Sequence, residues 1–405
     1  MEMPDQKLKR LYDELQAEMH ERILPFWMKK AADTINGGFF GRIRNDGRIV
    51  ENSPKGAVLN ARILWAFSAA FNLTGRSEYL EQARKAYDYF TRFFVDMEYG
   101  GVYWSLTSDG TPLNTRKQIY AQAFAVYALS EYSMTGAEQG ALPLAIDLYK
   151  AIEKYAFDAE NNGYIEALSR EWKGLDDLRL SDKDANEPKS MNTHLHILEA
   201  YTKLYEVWKN DELGNRLQNL LKIHTEKIYA SKTGHFNLFF DMHWNPKSGH
   251  YSFGHDIEGS WLIFEGARIL GKPEYIEEAG KLAVIMAETT LREGIAEDGS
   301  LLYEGKAGQI TDHNRHWWPQ AEAVVGFINA FEISGDQKFL TAAVHAWDFI
   351  KSNMRHPSGE WFFLMNSKFE PDLNQDLAGE WKCPYHNTRC CIEIMKRVKI
   401  MTTAL

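Results

Sequence analysis

Cysteine is scarce in this 405-residue chain. Its three cysteines, Cys383, Cys390 and Cys391, crowd into one short stretch, an odd number without paired C-x-x-C spacing. That excludes a disulfide framework and a thiolate zinc site and leaves reduced, packed thiols. Long apolar runs are lacking too, so the sequence offers no membrane span. The first stretch, MEMPDQKLKRLYDELQAEMHERILPF, is charged throughout, has no apolar leader segment or cleavage site, and reads as an amphipathic helix. A cytoplasmic protein is expected. Positive charge is nowhere concentrated: Lys and Arg number 46 against 56 Asp and Glu, a formal charge of −10, which argues against a nucleic-acid partner. Also missing are a G-x-G-x-x-G turn after a strand, a P-loop and an H-E-x-x-H helix, so no cofactor and no metal are expected.

Hydrophobic residues make up 44% of the chain and charged residues 25%, the balance of a globular protein with a large core. Aromatic residues reach 13%, with 12 Trp, 19 Tyr and 22 Phe. Such rings fill helical cores, and they also offer faces on which the apolar C–H face of a sugar can stack.

A segment of glycine followed by aromatic residues recurs along the chain. Taking Gly37, Gly100, Gly163, Gly234, Gly299 and Gly359 as markers, the steps are 63, 63, 71, 65 and 60 residues, a six-fold internal repeat. Each marker reads as a short hairpin. Between markers lie two kinds of helix. Ser77–Phe94 places Tyr79, Ala83, Ala86, Tyr87, Phe90 and Phe94 at spacings of three and four with charges between them, the pattern of an outer, half-solvated helix. Ala57–Phe71, Tyr120–Tyr132 and Trp261–Leu270 are apolar nearly all round, as in helices buried on every side. Six outer and six inner helices, with hairpins joining each outer helix to the next inner one, predict an all-α (α/α)6 barrel, a single domain over 1–405. An open solenoid would require distinct polar end caps, which the six units do not leave room for.

Polar groups at the starts of apolar inner helices are then the anomaly. The first inner helix offers Asn60 and Arg62, the second Arg116 and Tyr120, and the third Asn192, His194 and His196. The fourth offers His255 and Glu258; the fifth Arg315, His316, Trp318 and Glu322; the sixth Tyr385, His386 and Arg389. A lone histidine at a helix start is more often a cap than a catalyst, and His194, turned away from His196, reads as structural. Independent repeats delivering such groups at one level point instead to a shared site. Three histidines suit a metal, Glu258 with Glu322 suits a glycosidase, and imidazoles outnumbering carboxylates suit reversible proton removal from a carbon next to a carbonyl.

The strings LNARILWAF, TRKQIYAQAFAVYALSE, SMNTHLHILEAY, SFGHDIEGSWL, RHWWPQAEAVVGF and WKCPYHNTR span nearly the whole chain. Together they resemble the N-acylglucosamine 2-epimerase superfamily, most nearly its branch acting on cellobiose. The resemblance implies an (α/α)6 barrel that inverts C2 of the reducing-end sugar of a β-1,4-linked disaccharide through an enediolate, without a cofactor. A monosaccharide epimerase or isomerase is the alternative, with a glycosidase or sugar-binding barrel behind it. His255 and His386 match the catalytic pair, His196 the third active-site histidine, and Arg62 the arginine facing the enediolate. Tyr120, Asn192, Glu258, Trp318 and Trp381 match sugar-lining positions, and Glu322 is counted with them. Glu258 is expected to orient His255. Cys383 departs from a glycine expected in many relatives. A small disaccharide is the expected partner of a monomer, with neither membrane nor nucleic acid.

Overall fold

The computed structural model describes residues 3–403. Its thirteen α-helices run as α1 (Pro4–Ala17), α2 (Leu24–Lys29), α3 (Ala57–Thr74), α4 (Ser77–Phe93), α5 (Ile119–Ser133), α6 (Ala141–Tyr155) and α7 (Met191–Val207). They continue as α8 (Asp211–Ile223), α9 (Phe253–Leu270), α10 (Pro273–Glu293), α11 (Trp317–Ser334), α12 (Gln337–Phe349) and α13 (Tyr385–Thr403). The first two are one outer element interrupted by a π turn at Glu18–Ile23, so six outer and six inner helices remain.

The inner helices form a closed ring. Each of α3, α5, α7, α9 and α11 packs on the next, and α13 packs on both α11 and α3. Burial explains their composition: Ala57 to Ala70 of α3 and Ile119 to Tyr132 of α5 are buried without a break, so neither helix has a wet face to cover with charge. The outer helix α4 buries only Tyr79, Gln82, Ala83, Ala86, Tyr89 and Phe90. Tyr89 thus takes the inward position expected of Tyr87, which is half-buried and stacks on Tyr132.

All six marker glycines have positive φ, from 74° at Gly100 to 111° at Gly359. Each turn is clasped by an antiparallel bridge, such as Val95 with Val102, Phe157 with Tyr164 and Arg355 with Trp361. At Gly163 the absence of a side chain serves packing as well, since a Cβ there would lie 2.4 Å from the Trp244 ring and 2.8 Å from His194 Nε2. Short strands before the inner helices then pair with the following repeat, as Lys55–Gly56 does with Ser105–Leu106, and Ile43–Arg44 with Asp376–Ala378 closes the circle.

A second lock recurs below these strands. Lys55, Lys117 and Lys189 each reach back 2.8 Å to a hairpin aspartate, Asp33, Asp96 and Asp158. Arg315 with Asp298 and Lys382 with Glu360 repeat the pattern. In the fourth repeat Tyr251 stands at that place and stacks on His235 with ring centroids 3.7 Å apart. The locks hold every hairpin over the start of its inner helix and put all six helix starts at one mouth.

Candidate active site

Side chains at these helix starts follow a rule set by the 3.6-residue period. The fourth residue of the helix faces the hairpin. Gln122 and Gln320 exchange two hydrogen bonds each with the backbones of Val102 and Leu301. His194 accepts from the Tyr164 amide through Nε2 (2.9 Å), with Nδ1 2.6 Å from the Ser190 carbonyl. It is the structural residue expected, and burial pushes its pKa down to about 3. Asn60 likewise turns back to the Gly56 carbonyl, while Arg116 and Arg315 serve rim contacts and His316 stacks on Tyr303.

Second and sixth residues face the axis instead, one turn apart. The second residues are Tyr120, Asn192, Trp318 and His386; the sixth are Arg62, His196, Glu258 and Glu322. In α9 the second residue is Gly254, where a Cβ would meet the Trp318 ring at 2.6 Å. The indole lies across that gap, and His255, third in its helix, has its ring centroid 4.7 Å from it. His386 lies 5.5 Å from the same indole. Across the mouth, Trp381 sits 6.1 Å from both Trp104 and Tyr120. All ten residues singled out in the sequence thus meet at one end of the ring, with His255, Asn192, Trp318 and Trp381 half-buried at the rim and the carboxylates at the floor.

Arg62 is 3% exposed. Its Nη2 donates to the Tyr120 hydroxyl (2.8 Å), Nη1 faces Cys383 Sγ at 3.9 Å, and Nε has no partner. Its guanidinium lies over the rings of Phe124 and Tyr385 at 4.2 and 4.7 Å. No carboxylate pairs with it among the described residues. A buried cation without an anion is costly unless the anion arrives with a ligand. Cys383 therefore does more than fill the loop before His386: its sulfur meets the guanidinium.

The two outer imidazoles are held neutral. Burial drops His255 to about 3, and burial with Arg62 and Arg389 nearby drives His386 well below its ordinary range. His386 Nδ1 lies 2.7 Å from Glu322 Oε1, and His196 Nδ1 lies 2.9 Å from Glu199 Oε2. His255 Nδ1 is buried and unpartnered. Glu258 does not orient His255 as the sequence suggested; its Oε1 accepts from Arg389 Nη2 at 2.5 Å. Three residues were undervalued: Arg389 was seen at its helix start but given no role, and Glu199 and Tyr385 complete its surroundings. Glu199 follows His196 by three residues and Arg389 follows His386 by three, a one-turn spacing that was available as a signal.

Atoms of Glu258, Glu322 and His386 lie within 4.8 Å of one another, a set able to hold a cation. The guanidinium of Arg389 occupies that position, bonded to Glu322 at 2.6 Å as well as to Glu258. Burial, then the neighbouring Glu322, pushes Glu258 up to about 7. Two carboxylates with a guanidinium bonded between them are not free to flank a glycosidic bond as acid and nucleophile, as hydrolysis requires.

The N-acylglucosamine 2-epimerase (GlcNAc 2-epimerase) family model matches residues 38–390. The chain belongs to this family and is a carbohydrate epimerase. Among relatives, the cellobiose 2-epimerase of Bacteroides fragilis is 48% identical over 388 residues, 95% of this chain and 98% of that protein. The cellobiose 2-epimerase of Dictyoglomus turgidum is 38% identical over 96% of this chain and 100% of its own. The solved cellobiose 2-epimerase of Bacillus thermoamylovorans superposes with a TM-score of 0.91 at 39% identity, covering 96% of this chain and 100% of that one.

Proposed function

We propose that the chain inverts C2 of the reducing-end sugar of a β-1,4-linked disaccharide, converting cellobiose to glucosyl-mannose and lactose to epilactose. The observation that carries this reading is the unpaired, buried Arg62. Proton loss from C2 of the open-chain aldose places negative charge on O1 and O2, and a fixed guanidinium stabilises it without reorganising. One imidazole, neutral, takes the proton from its face of C2, and the other, carrying a proton exchanged from solvent on its Nε2, returns one to the opposite face; exchange with solvent then resets the pair. His255 takes the proton of the gluco form; His386 serves the manno form and ring opening, and His196 contacts the sugar between them. Tyr120, Asn192, Glu258, Glu322, Trp318 and Trp381 hold the sugar, the two indoles by stacking on its C–H faces.

The similarity to disaccharide epimerases over nearly full length favours a disaccharide over a monosaccharide. The same reading takes 1–405 as one catalytic domain working as a cytoplasmic monomer, supported by three buried free thiols. Among the described residues no helix is long and apolar enough to cross a membrane.

Only C2 of an open-chain aldose is next to a carbonyl, so a free reducing end is required. Cellobiose should yield its C2 epimer while methyl cellobioside stays inert. Turnover of the methyl glycoside would overturn the reading, and release of free glucose would replace it with the glycosidase.

A further inference from the structure

Beside the histidines lies a guanidinium to which the C2 chemistry assigns no step. Arg389, fifth residue of α13 and fully buried, points across the barrel floor toward three other inner helices. Through Nη1 it meets Glu199 Oε1 on α7 and the Tyr385 hydroxyl; through Nη2 it meets Glu258 on α9 and Glu322 on α11. Each outer glutamate in turn holds an imidazole by Nδ1, Glu199 that of His196 and Glu322 that of His386. One guanidinium therefore joins two imidazole–carboxylate pairs from opposite parts of the ring.

We propose that Arg389 is a positioning residue that fixes the Nδ1–H tautomer of His196 and His386 together, through Glu199 and Glu322, and so presents both Nε2 atoms to the sugar. The donor inventory supports this. Glu322 Oε2 accepts from Trp261 Nε1 at 3.0 Å and its Oε1 from Arg389, both groups that can only donate. With Glu322 ionised beside the Arg389 guanidinium, the remaining contact on Oε1 is an N–H from His386. Glu199 is surrounded in the same way by Arg389, Tyr385 and His196. Burial would raise its pKa, but Arg389 and His196 hold it at about 2, so it too accepts from its imidazole. A carboxylate that fixes one ring nitrogen leaves the other as the reactive atom. Burial pushes both Glu258 and Glu322 up, and Glu258, which has no imidazole on it, is the one of the three free to hold a proton without changing a tautomer. The inference rests on the epimerase reading for what Nε2 does, not for which nitrogen carries the proton.

The tautomers can be read without substrate. In enzyme labelled with 15N-histidine, long-range 1H–15N spectra, assigned with His196→Asn and His386→Asn, should place both rings in the Nδ1–H form. In Arg389→Met both should lose that preference together, and kcat on cellobiose should fall about a hundredfold, as expected when reacting groups are misplaced by about 1 Å. The acid limb of kcat/KM should move toward neutral pH. Arg62, His196 and His255 also lower the His386 pKa, while Glu258 and Glu322 face it; deleting one cation from that set eases its protonation.

Should Arg389→Met not fold, Arg389→Lys keeps the charge but lacks the fork. It should preserve at most one of the two tautomers. A folded Met or Lys variant with both tautomers and the acid limb unchanged would overturn the proposal. If the wild type fails to turn over cellobiose, the functional reading falls while the spectra still decide the role of Arg389.

Discussion

At the scale of single residues, the site is an exercise in charge left deliberately unbalanced. Arg62 has aromatic rings and a phenol around it but no counter-ion among the described residues, while Arg389 is saturated with carboxylates. The two arginines should answer mutation differently. Arg62→Ala removes a group stabilising the developing enediolate, a loss of about 3 kcal/mol for a single donor in a dry site. We expect kcat to fall by about two orders of magnitude with the urea midpoint nearly unchanged; a folded variant with near-normal kcat would make Arg62 structural. The imidazoles predict the pH dependence. A free imidazole titrates near 6.5. His255 and His386 lie below that because burial disfavours their charged forms. Both therefore remain bases as the pH falls through 6.5, and the acid limb of kcat/KM should lie below that value. A limb centred at 6.5 or above would mean that neither buried imidazole is the base.

At the scale of elements, the hairpin locks carry the geometry. Lys117 and Asp96 are both fully buried, and Arg170 adds a second cation from the next hairpin arm at 3.0 Å. Burial alone would raise the Asp96 pKa, but Arg170 and Lys117 outweigh it and hold it below the ordinary carboxylate range. With a depressed folded-state pKa, its contribution is complete above about pH 4 and is lost as the pH falls through the acid range. Lys117→Met leaves a buried carboxylate with one half-exposed cation, Arg170, and the backbone amides of Glu98 and Tyr99. It should cost about 3 kcal/mol in urea denaturation at neutral pH, and the deficit should shrink in acid. A constant deficit from pH 7 to pH 3 would deny the pair its role.

These elements also mark what the sequence could reveal. The marker glycines were legible because a positive φ demands glycine at most such turns, and the inner helices because nothing solvates them. Tyr87 and Tyr89 were confused because both fall within the apolar arc of one helix, and only the neighbour packed above decides which is covered. Arg389 was seen without a role because its meaning depends on Glu199, 190 residues away. Periodicity places such residues on faces but cannot bring four helices together. Glu258 was assigned to His255 on spacing along one helix, and lost that role to a stronger donor arriving from another.

At the scale of the whole molecule, closure of the ring is what brings six helix starts to one mouth. The seam depends on the first outer helix: Trp361 Nε1 donates to buried Glu18 at 2.8 Å, Trp27 Nε1 to Glu360 at 2.7 Å, and Trp347 Nε1 to Glu14 at 2.6 Å. These bonds tie the first repeat to the sixth, beside the pairing of Ile43–Arg44 with Asp376–Ala378. The ring places His255 on α9 and His386 on α13, two repeats apart, and the proposed mechanism has them act at opposite faces of C2. The measurement that tests this arrangement most directly is incubation of cellobiose in deuterated water, with products and label read by NMR. We expect glucosyl-mannose carrying deuterium at C2 of its reducing-end residue and at no other carbon, the result of a proton lost to one imidazole and returned from another that has exchanged with solvent. An epimer that keeps its original hydrogen at C2, or glucose in place of an epimer, would contradict a two-imidazole enediolate mechanism.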